Sequence, residues 1–453
     1  MNQELWQKIH EFDLDKPHGE YGFSTRLAME NFWTQEFTRQ AILEYKKFMF
    51  LAAISDFMVS PSKIIDVVWH QHLVFTQSYQ EFCNLLGKQV QHLPSTRNRE
   101  EFEKFRQAKE RTAKSYETNF GKQPEILWAH HDMFESLNLE KAKYKLRSII
   151  IFGILALICM SIPAYFLLQP LYIHINNPDF ISGFFMITVF AIAALEFYNR
   201  GELENIVDDF DKNSFIHNLQ PMELVYLKSQ KISEVINGTV NQLVVNGAIK
   251  INSDHSIEVD KTKPVACITQ KQTVFTLGEL GTTFYPNLLR ELAAKPIFSM
   301  IPNSMDAFVK YFNKSRKFQS IFLVNFIILA FLILLAFTRI VTGTLRDKPV
   351  SEITLITCAL VAFTLFFLHR LTRMIATTTI PNLYRKEILP ARKIENDWQW
   401  SYFLLGPVVF ANSFTPLASY IEKNNSSSGS CGTSCGSSCG SSCGSSCGGC
   451  GGD

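Results

Sequence analysis

Two groups of residues in this chain are of the kind that carries chemistry. The first is the run Asp66-Val67-Val68-Trp69-His70-Gln71-His72, followed downstream by His92 in a His-Leu-Pro segment. Asp66 and His70 are four apart and share a face if the run is helical. A carboxylate and an imidazole so placed can hold a divalent metal, or the carboxylate can orient the imidazole. His72 falls about 200° around an ideal helix from His70, on the apolar side with Trp69, so one regular helix cannot bring all three donors to one ion. The spacing is not that of HExxH or another strong metal signature. Two readings follow. One is a metal or catalytic site using Asp66, His70, His72 and His92. The other is a buried Trp69, a His72 satisfied by a carbonyl, and Asp66 with His70 as a local hydrogen-bonded pair.

The second group is at the C-terminus. From Asn424 the chain runs NNSSSGSCGTSCGSSCGSSCGSSCGGCGGD, which places Cys431, Cys435, Cys439, Cys443, Cys447 and Cys450 at steps of four, four, four, four and three. Gly and Ser fill the gaps, so residues 424–453 have no means of building a core and are expected to be a disordered tail. Clustered thiols on such a chain can wrap zinc or another soft metal. They can equally be oxidised, modified or inert. Cys83, Cys159, Cys267 and Cys358 are scattered and read as ordinary core or lipid-facing thiols.

The elements that carry these groups are mostly helices. Residues 1–140 read as a helical bundle. Phe37, Ala41, Ile42, Tyr45, Phe48, Met49 and Ala52 recur at helical spacing. Pro61 and Ser62 open a second helix, whose apolar stripe runs from Ile64 to Phe82 and ends at Gly87. Phe102 to Phe120 gives a third, with Gly121 as its C-cap. Four stretches are long and apolar enough to cross a bilayer: Ser148 to Leu168, Ile181 to Tyr198, Ser320 to Thr338 and Ile353 to Leu368. They form two hairpins, within 148–198 and 320–368, with Gly153, Gly183 and alanines expected to permit close helix packing.

Lys141, Lys143, Lys145 and Arg147 precede the first span, Lys310, Lys314, Arg316 and Lys317 the third, and Arg370, Arg373, Arg385 and Lys386 follow the fourth. This bias puts both termini and the middle region in the cytosol. Arg339, Arg346 and Lys348, between spans three and four, run against it. The chain opens MNQELWQKIHEFDLDK, with no apolar run of the kind a signal peptide has. Within the spans the only charge is Glu196, beside the uncharged Asn325, which argues against an ion or substrate path.

Residues 199–318 read as a cytosolic helical unit. A helix from Pro221, a second from Ile232 to Val244 stopped at Asn246-Gly247, and a hairpin of Ile249–Ile251 with Ile257–Val259 suggest a winged-helix-like arrangement, followed by further helix from Phe275 to Phe298. The segment GTVNQLVVNG, where DNA would be read, has no Lys or Arg, and phosphate contacts dominate DNA affinity. The whole chain has 44 Lys+Arg against 42 Asp+Glu, so nucleic acid is not an expected partner. Residues 369–423 read as a membrane-proximal segment, with a fifth span over Trp398 to Ile421 as the alternative. Neither a GxxxxGK[ST] loop nor a GxSxG elbow occurs, so ATPase and serine-hydrolase readings have no support.

Two resemblances add to this. FSTRLAMENFW, EYKKFMFLAA, PSKIIDVVWHQHLVFTQSYQEFCNLLG, HLPS and YETNFGKQPEILW resemble the glycine-rich domain-containing protein family, over about residues 20–130. The resemblance implies no activity, but it singles out Asp66, Trp69, His70, His72 and His92. LQPMELVYLKSQKISEVINGTVNQLVVNGAIKI, the paired spans, LLGPVVFA and the Cys/Gly-rich end are similar to a bacterial membrane-protein family known as a domain of unknown function, over about residues 140–453. The expectation is a mainly α, polytopic protein of the bacterial inner membrane. It would be a scaffold or sensor with membrane lipid and cytosolic proteins as partners, and its thiol tail would bind metal or respond to redox state. The alternative is a membrane-tethered metalloenzyme using the Asp66–His92 region.

Overall fold

A computed structural model describes residues 2–16, 19–92, 99–260, 262–263, 265, 267–392 and 397–420. Among them the chain is mainly helical, with three short strands. The N-terminal part holds α1 (Gln3–Glu11), α2 (Phe23–Asn31), α3 (Gln35–Ile54), α4 (Lys63–Val74), α5 (Thr76–Leu86), α6 (Arg99–Phe120) and α7 (Glu125–Trp128). Its boundaries follow local chemistry. Thr34 caps α3 by accepting from Phe37 N, and Ser62 caps α4 by accepting from Ile65 N. Gly87 and Gly121 take left-handed backbone angles at the ends of α5 and α6. The apolar stripe from Ile64 to Phe82 is two helices, not one. The chain breaks at Phe75, whose N–H turns back to the His72 carbonyl at 3.0 Å. The break lets Trp69 and His72 on α4 face Tyr79 and Ser78 on α5 in one core. Tyr45, Phe48, Phe50, Phe82 and Tyr116 fill that core and are fully buried.

Four long apolar helices follow, each able to cross a membrane by length and composition: α8 (Leu146–Tyr172), α9 (Asn177–Asp208), later α15 (Arg316–Thr344), and α16 (Ser351–Met374), which runs on through two π-helical turns to Arg392. None of the residues in the most apolar stretch of α8 is buried. Leu167, Phe190 and Phe197 are 78, 77 and 82% exposed. Apolar belts of this size call for a hydrocarbon environment. The fourth helix passes well beyond Leu368. Its π turns, Ile375–Thr379 and Tyr384–Ile388, lie close to Pro381 and Pro390, where the regular ladder loses donors. Beyond Arg370 it is a strut: the Tyr384 hydroxyl donates to the Ile216 carbonyl and accepts from Leu219 N.

Two polar groups link these helices. Asn199 and Asn325 exchange amide hydrogen bonds at 2.9 and 2.6 Å, fully buried between α9 and α15. Glu196 takes Arg370 on both oxygens, at 2.6 and 2.7 Å, and Arg200 from its own helix at 2.9 Å. Gly153 permits a close approach, since a Cβ there would lie 2.2 Å from the Phe326 ring; Gly183 does not, having nothing within 4 Å.

Arg339, which ran against the charge bias, is 8% exposed. It donates to the Tyr172 and Ile175 carbonyls and to Asn177 Oδ1, and lies 4.9 Å from the Phe180 ring centre. Its charge closes the turn between α8 and α9 and reports packing rather than orientation. Arg339→Ala is expected to destabilise the protein by about 2 kcal/mol, because carbonyls lose a charged donor. Thermal unfolding in detergent, with the exposed Arg346→Ala as a control expected to be silent, checks this.

Between the hairpins stand α10 (Pro221–Ser229), α11 (Ile232–Val245), β1 (Ile249–Ile251), β2 (Ser256–Val259), α12 (Ile268–Leu280), β3 (Thr283–Phe284), α13 (Tyr285–Ala294) and α14 (Pro296–Asn313). The antiparallel sheet has the order β1-β2-β3, pairing Ile249 with Val259 and Ile257 with Thr283. The third strand corrects the expectation of uninterrupted helix there. Gly281, at φ +68°, ends α12, and the following Thr-Thr-Phe has the β-prone composition to pair with the open edge of β2. The segment Trp398–Tyr420 is no fifth span. Its first helix has eight residues, and it packs on α11: Tyr402 donates to the Glu234 carboxylate at 2.9 Å, and Ala411 N to Asn241 at 2.8 Å.

Candidate metal site

Asp66 sits in the first turns of α4 and His70 one turn further on the same face. His92 comes from a separate piece of chain, the extended segment after α5. Three contacts bring that segment back. Gly87 turns the chain out of α5. Lys88 then donates to the Ala52 and Ser55 carbonyls at the end of α3, at 3.0 and 2.9 Å. Finally, Trp69 Nε1 donates to the Tyr79 hydroxyl at 3.1 Å, and Tyr79 in turn donates to the Val90 carbonyl. Burial pushes the Tyr79 phenol well up, so it keeps the proton it donates. Two residues later the His92 ring meets the Trp69 ring edge-on, centres 4.6 Å apart.

The result is a three-donor cluster. His92 Nε2 lies 3.0 Å from Asp66 Oδ1, and His70 Nδ1 lies 3.6 Å from Asp66 Oδ2. The two imidazoles are 4.3 Å apart between centres. One donor atom from each residue falls within 4.8 Å of the others. Ligands about 2.05 Å from a tetrahedral ion stand about 3.3 Å apart, close to the His92–Asp66 separation. His70 stands nearest the other carboxylate oxygen, so the three donors, within 4.8 Å of one another, must draw together to share an ion. The cluster is open on one side: the His70 side chain is 55% exposed, those of Asp66 and His92 25 and 17%. Among the described residues this is the one group of three such donors close enough to share an ion.

His72 is not part of it. It is fully buried, with Nδ1 2.8 Å from the Tyr45 hydroxyl and Nε2 3.1 Å from Ser78 Oγ. Both ring nitrogens are occupied, and desolvation lowers its pKa to about 4, so it is a neutral core residue. The helical phase that separates it from His70 is the cause. Its partners are two hydroxyls rather than a carbonyl. Cys431, Cys435, Cys439, Cys443, Cys447 and Cys450 lie outside the described residues. Of the remaining cysteines, Cys83 is buried and Cys159, Cys267 and Cys358 are exposed, all as free thiols.

Two buried carboxylates were not singled out by their spacing. Glu44, on α3, accepts from Tyr116 and Trp128, each at 2.8 Å, and from Lys47 at 2.7 Å. Glu223, on α10, accepts from Gln35 N at 2.9 Å and Gln220 N at 2.7 Å. Glu44 gave one signal, an acid inside the apolar stripe beside Ala41 and Tyr45. Glu223 gave a weaker one, an acid three residues after a helix start.

No curated protein and no solved structure matches the chain. The stretch in which the glycine-rich domain-containing resemblance was seen is matched under another description. Residues 25–118, which carry Glu44, Asp66, Trp69, His70 and His92, are similar to the family described as UCP032817-like.

Proposed function

We propose that this is a bacterial inner-membrane protein that binds a divalent transition-metal ion at Asp66, His70 and His92 on its cytosolic side and acts as a membrane-anchored metal sensor. The observation that carries the reading is the convergence of His92, from one piece of chain, on Asp66 and His70 of α4, with one donor atom of each within 4.8 Å of the others. Two imidazoles and one carboxylate suit zinc, and also iron(II). The Trp69–Tyr79–Val90 chain is the outer support that such ligands need to hold their geometry. The helices around the site pack on the middle unit, α2 on α14 with Gln35 N donating to Glu223, and α14 leads directly into α15, so an ion that tightens α4 against residues 90–92 acts on a body joined to the apolar helices. In this reading the thiol tail is a second, softer metal or redox site, and cytosolic proteins are the partners.

The half-exposed His70 favours one other reading. An ion with three protein ligands keeps a position for water, which is the arrangement of hydrolytic zinc enzymes.

The test is a cobalt(II) titration of detergent-solubilised protein truncated after Lys423, followed by visible absorption. One equivalent should give the intense bands of a four- or five-coordinate site. His70→Ala and His92→Ala should each weaken binding by at least about tenfold, and His131→Ala, at an exposed histidine outside the cluster, should leave it unchanged. Equal spectra from all four proteins would sink the assignment.

A further inference from the structure

Helices α8 and α15 pack on each other, with Gly153 set closely against the Phe326 ring. Beside that point they leave an apolar furrow of about 710 Å³, walled by Phe152, Ala156, Met160, Leu323 and Phe331, with Tyr144 and Ser148 at one end. From Ser148 to Met160 the furrow runs about 18 Å at the helical rise. That is close to one leaflet, half of a hydrocarbon core about 30 Å thick.

The Tyr144 end is basic. The Lys143 ammonium stands 5.6 Å from the centre of the Tyr144 ring, and Lys145 and Arg147 flank it in sequence. On the α15 side the cations are already engaged: Arg316 with Glu140 at 3.1 Å and Lys317 with Asp209 at 2.7 Å. Among the described residues Lys143, Lys145 and Arg147 have no acidic partner. An occupant of this furrow therefore needs an apolar body one leaflet long and an anionic head at the basic end.

We infer that the furrow between α8 and α15 binds one acyl chain of an anionic phospholipid, whose phosphate rests on Lys143, Lys145 and Arg147. A phosphate at a membrane surface attracts such cations, and basic pockets between membrane helices hold anionic headgroups. The small side chains of Gly153 and Ala156 keep the floor of the furrow low enough for a chain to lie in it. The inference rests on these helices crossing a membrane.

The test uses the full chain in nanodiscs of phosphatidylcholine containing one fifth phosphatidylglycerol, released into detergent and weighed by native mass spectrometry. The ratio of phosphatidylglycerol to phosphatidylcholine retained on the protein should exceed the bilayer's one to four by at least about tenfold. Lys143→Glu with Arg147→Glu, both on the surface, should abolish that preference. Ala156→Trp, which fills the furrow, should remove the retained lipid altogether. Retention that follows bilayer composition, or a preference untouched by the two charge reversals, would overturn the inference. So would a dimer that disappears with Ala156→Trp, since a second copy would then occupy the furrow. Failure of the protein to enter nanodiscs would overturn the membrane reading, and the lipid site with it, but would leave the metal assignment standing.

Discussion

Glu44→Ala should destabilise the N-terminal helices by about 3–5 kcal/mol, the range for removing one member of a buried charged network. The Glu44 carboxylate is 3% exposed and is the acceptor for three donors. One is the Lys47 ammonium, whose side chain is itself largely buried, over the rings of Tyr116 and Phe120. The others are the Tyr116 hydroxyl and the Trp128 indole N–H. Burial and the neighbouring carboxylate hold the Tyr116 phenol far above its ordinary value, so it stays a donor at any working pH. Alanine would leave the Tyr116 hydroxyl and the Trp128 N–H with no acceptor, and the Lys47 ammonium with no counter-charge and only the Tyr116 hydroxyl at 3.1 Å. Glu44→Gln keeps the shape but turns an NH2 toward donors, and should cost about 1–3 kcal/mol. Denaturant unfolding followed by tryptophan fluorescence reads both, with Trp128 inside the network. An effect of Glu44→Ala below about 0.5 kcal/mol, the scale of an ordinary surface change, would mean the network contributes nothing.

Glu223 should make the join between α3 and α10 sensitive to pH. Its carboxyl group is fully buried where two helices begin, with one oxygen on the first N–H of α3 and the other on the cap residue of α10. Burial pushes its pKa up to about 7 from an ordinary 4.5, against the pull of the two N–H groups. In the unfolded chain the group loses its proton near its ordinary value, while in the folded protein it keeps it until about pH 7. Below pH 4.5 both states are protonated and the stability linked to this group is fully present. Between about pH 4.5 and 7 the unfolded state holds fewer protons, so stability falls as pH rises, by about 3 kcal/mol in all. Above about pH 7 the loss is complete. Hydrogen exchange of the α10 amides should therefore be slower at pH 5 than at pH 8, after correction for intrinsic rates. In Glu223→Gln that difference should vanish, with an added loss of about 1–3 kcal/mol because an amide cannot accept from both N–H groups. A pH difference of the same size in Glu223→Gln would assign it to other groups.

What the sequence disclosed and what it hid divide by range. Ser62, Gly87, Gly121, Pro221 and Gly247 mark helix ends through contacts with near neighbours, so their residue types announce them. The four apolar helices are legible because their pattern answers to the bilayer rather than to the rest of the chain. Asp66 and His70 are legible as a pair from spacing, and the phase of His72 already set it apart. Arg339 could not be read so. Its partners Tyr172 and Asn177 are more than 160 residues away, and only packing turns a misplaced charge into a capped turn. The Glu44 network likewise spans 72 and 84 residues. The break at Phe75 was hidden because the apolar stripe continues across it. The length of the fourth helix was hidden, since the apolar run ends at Leu368; Arg370 turns to Glu196, and the helix passes on to Arg392.

The measurement that bears most directly on the account is metal content, by elemental analysis of protein purified from cells, truncated after Lys423 so that the thiol tail cannot contribute. About one zinc or iron ion per chain should remain in the truncated protein and be lost in its His92→Ala form, with folding confirmed by circular dichroism. A truncated protein free of metal, or one whose metal survives His92→Ala, would contradict a metal site at Asp66, His70 and His92.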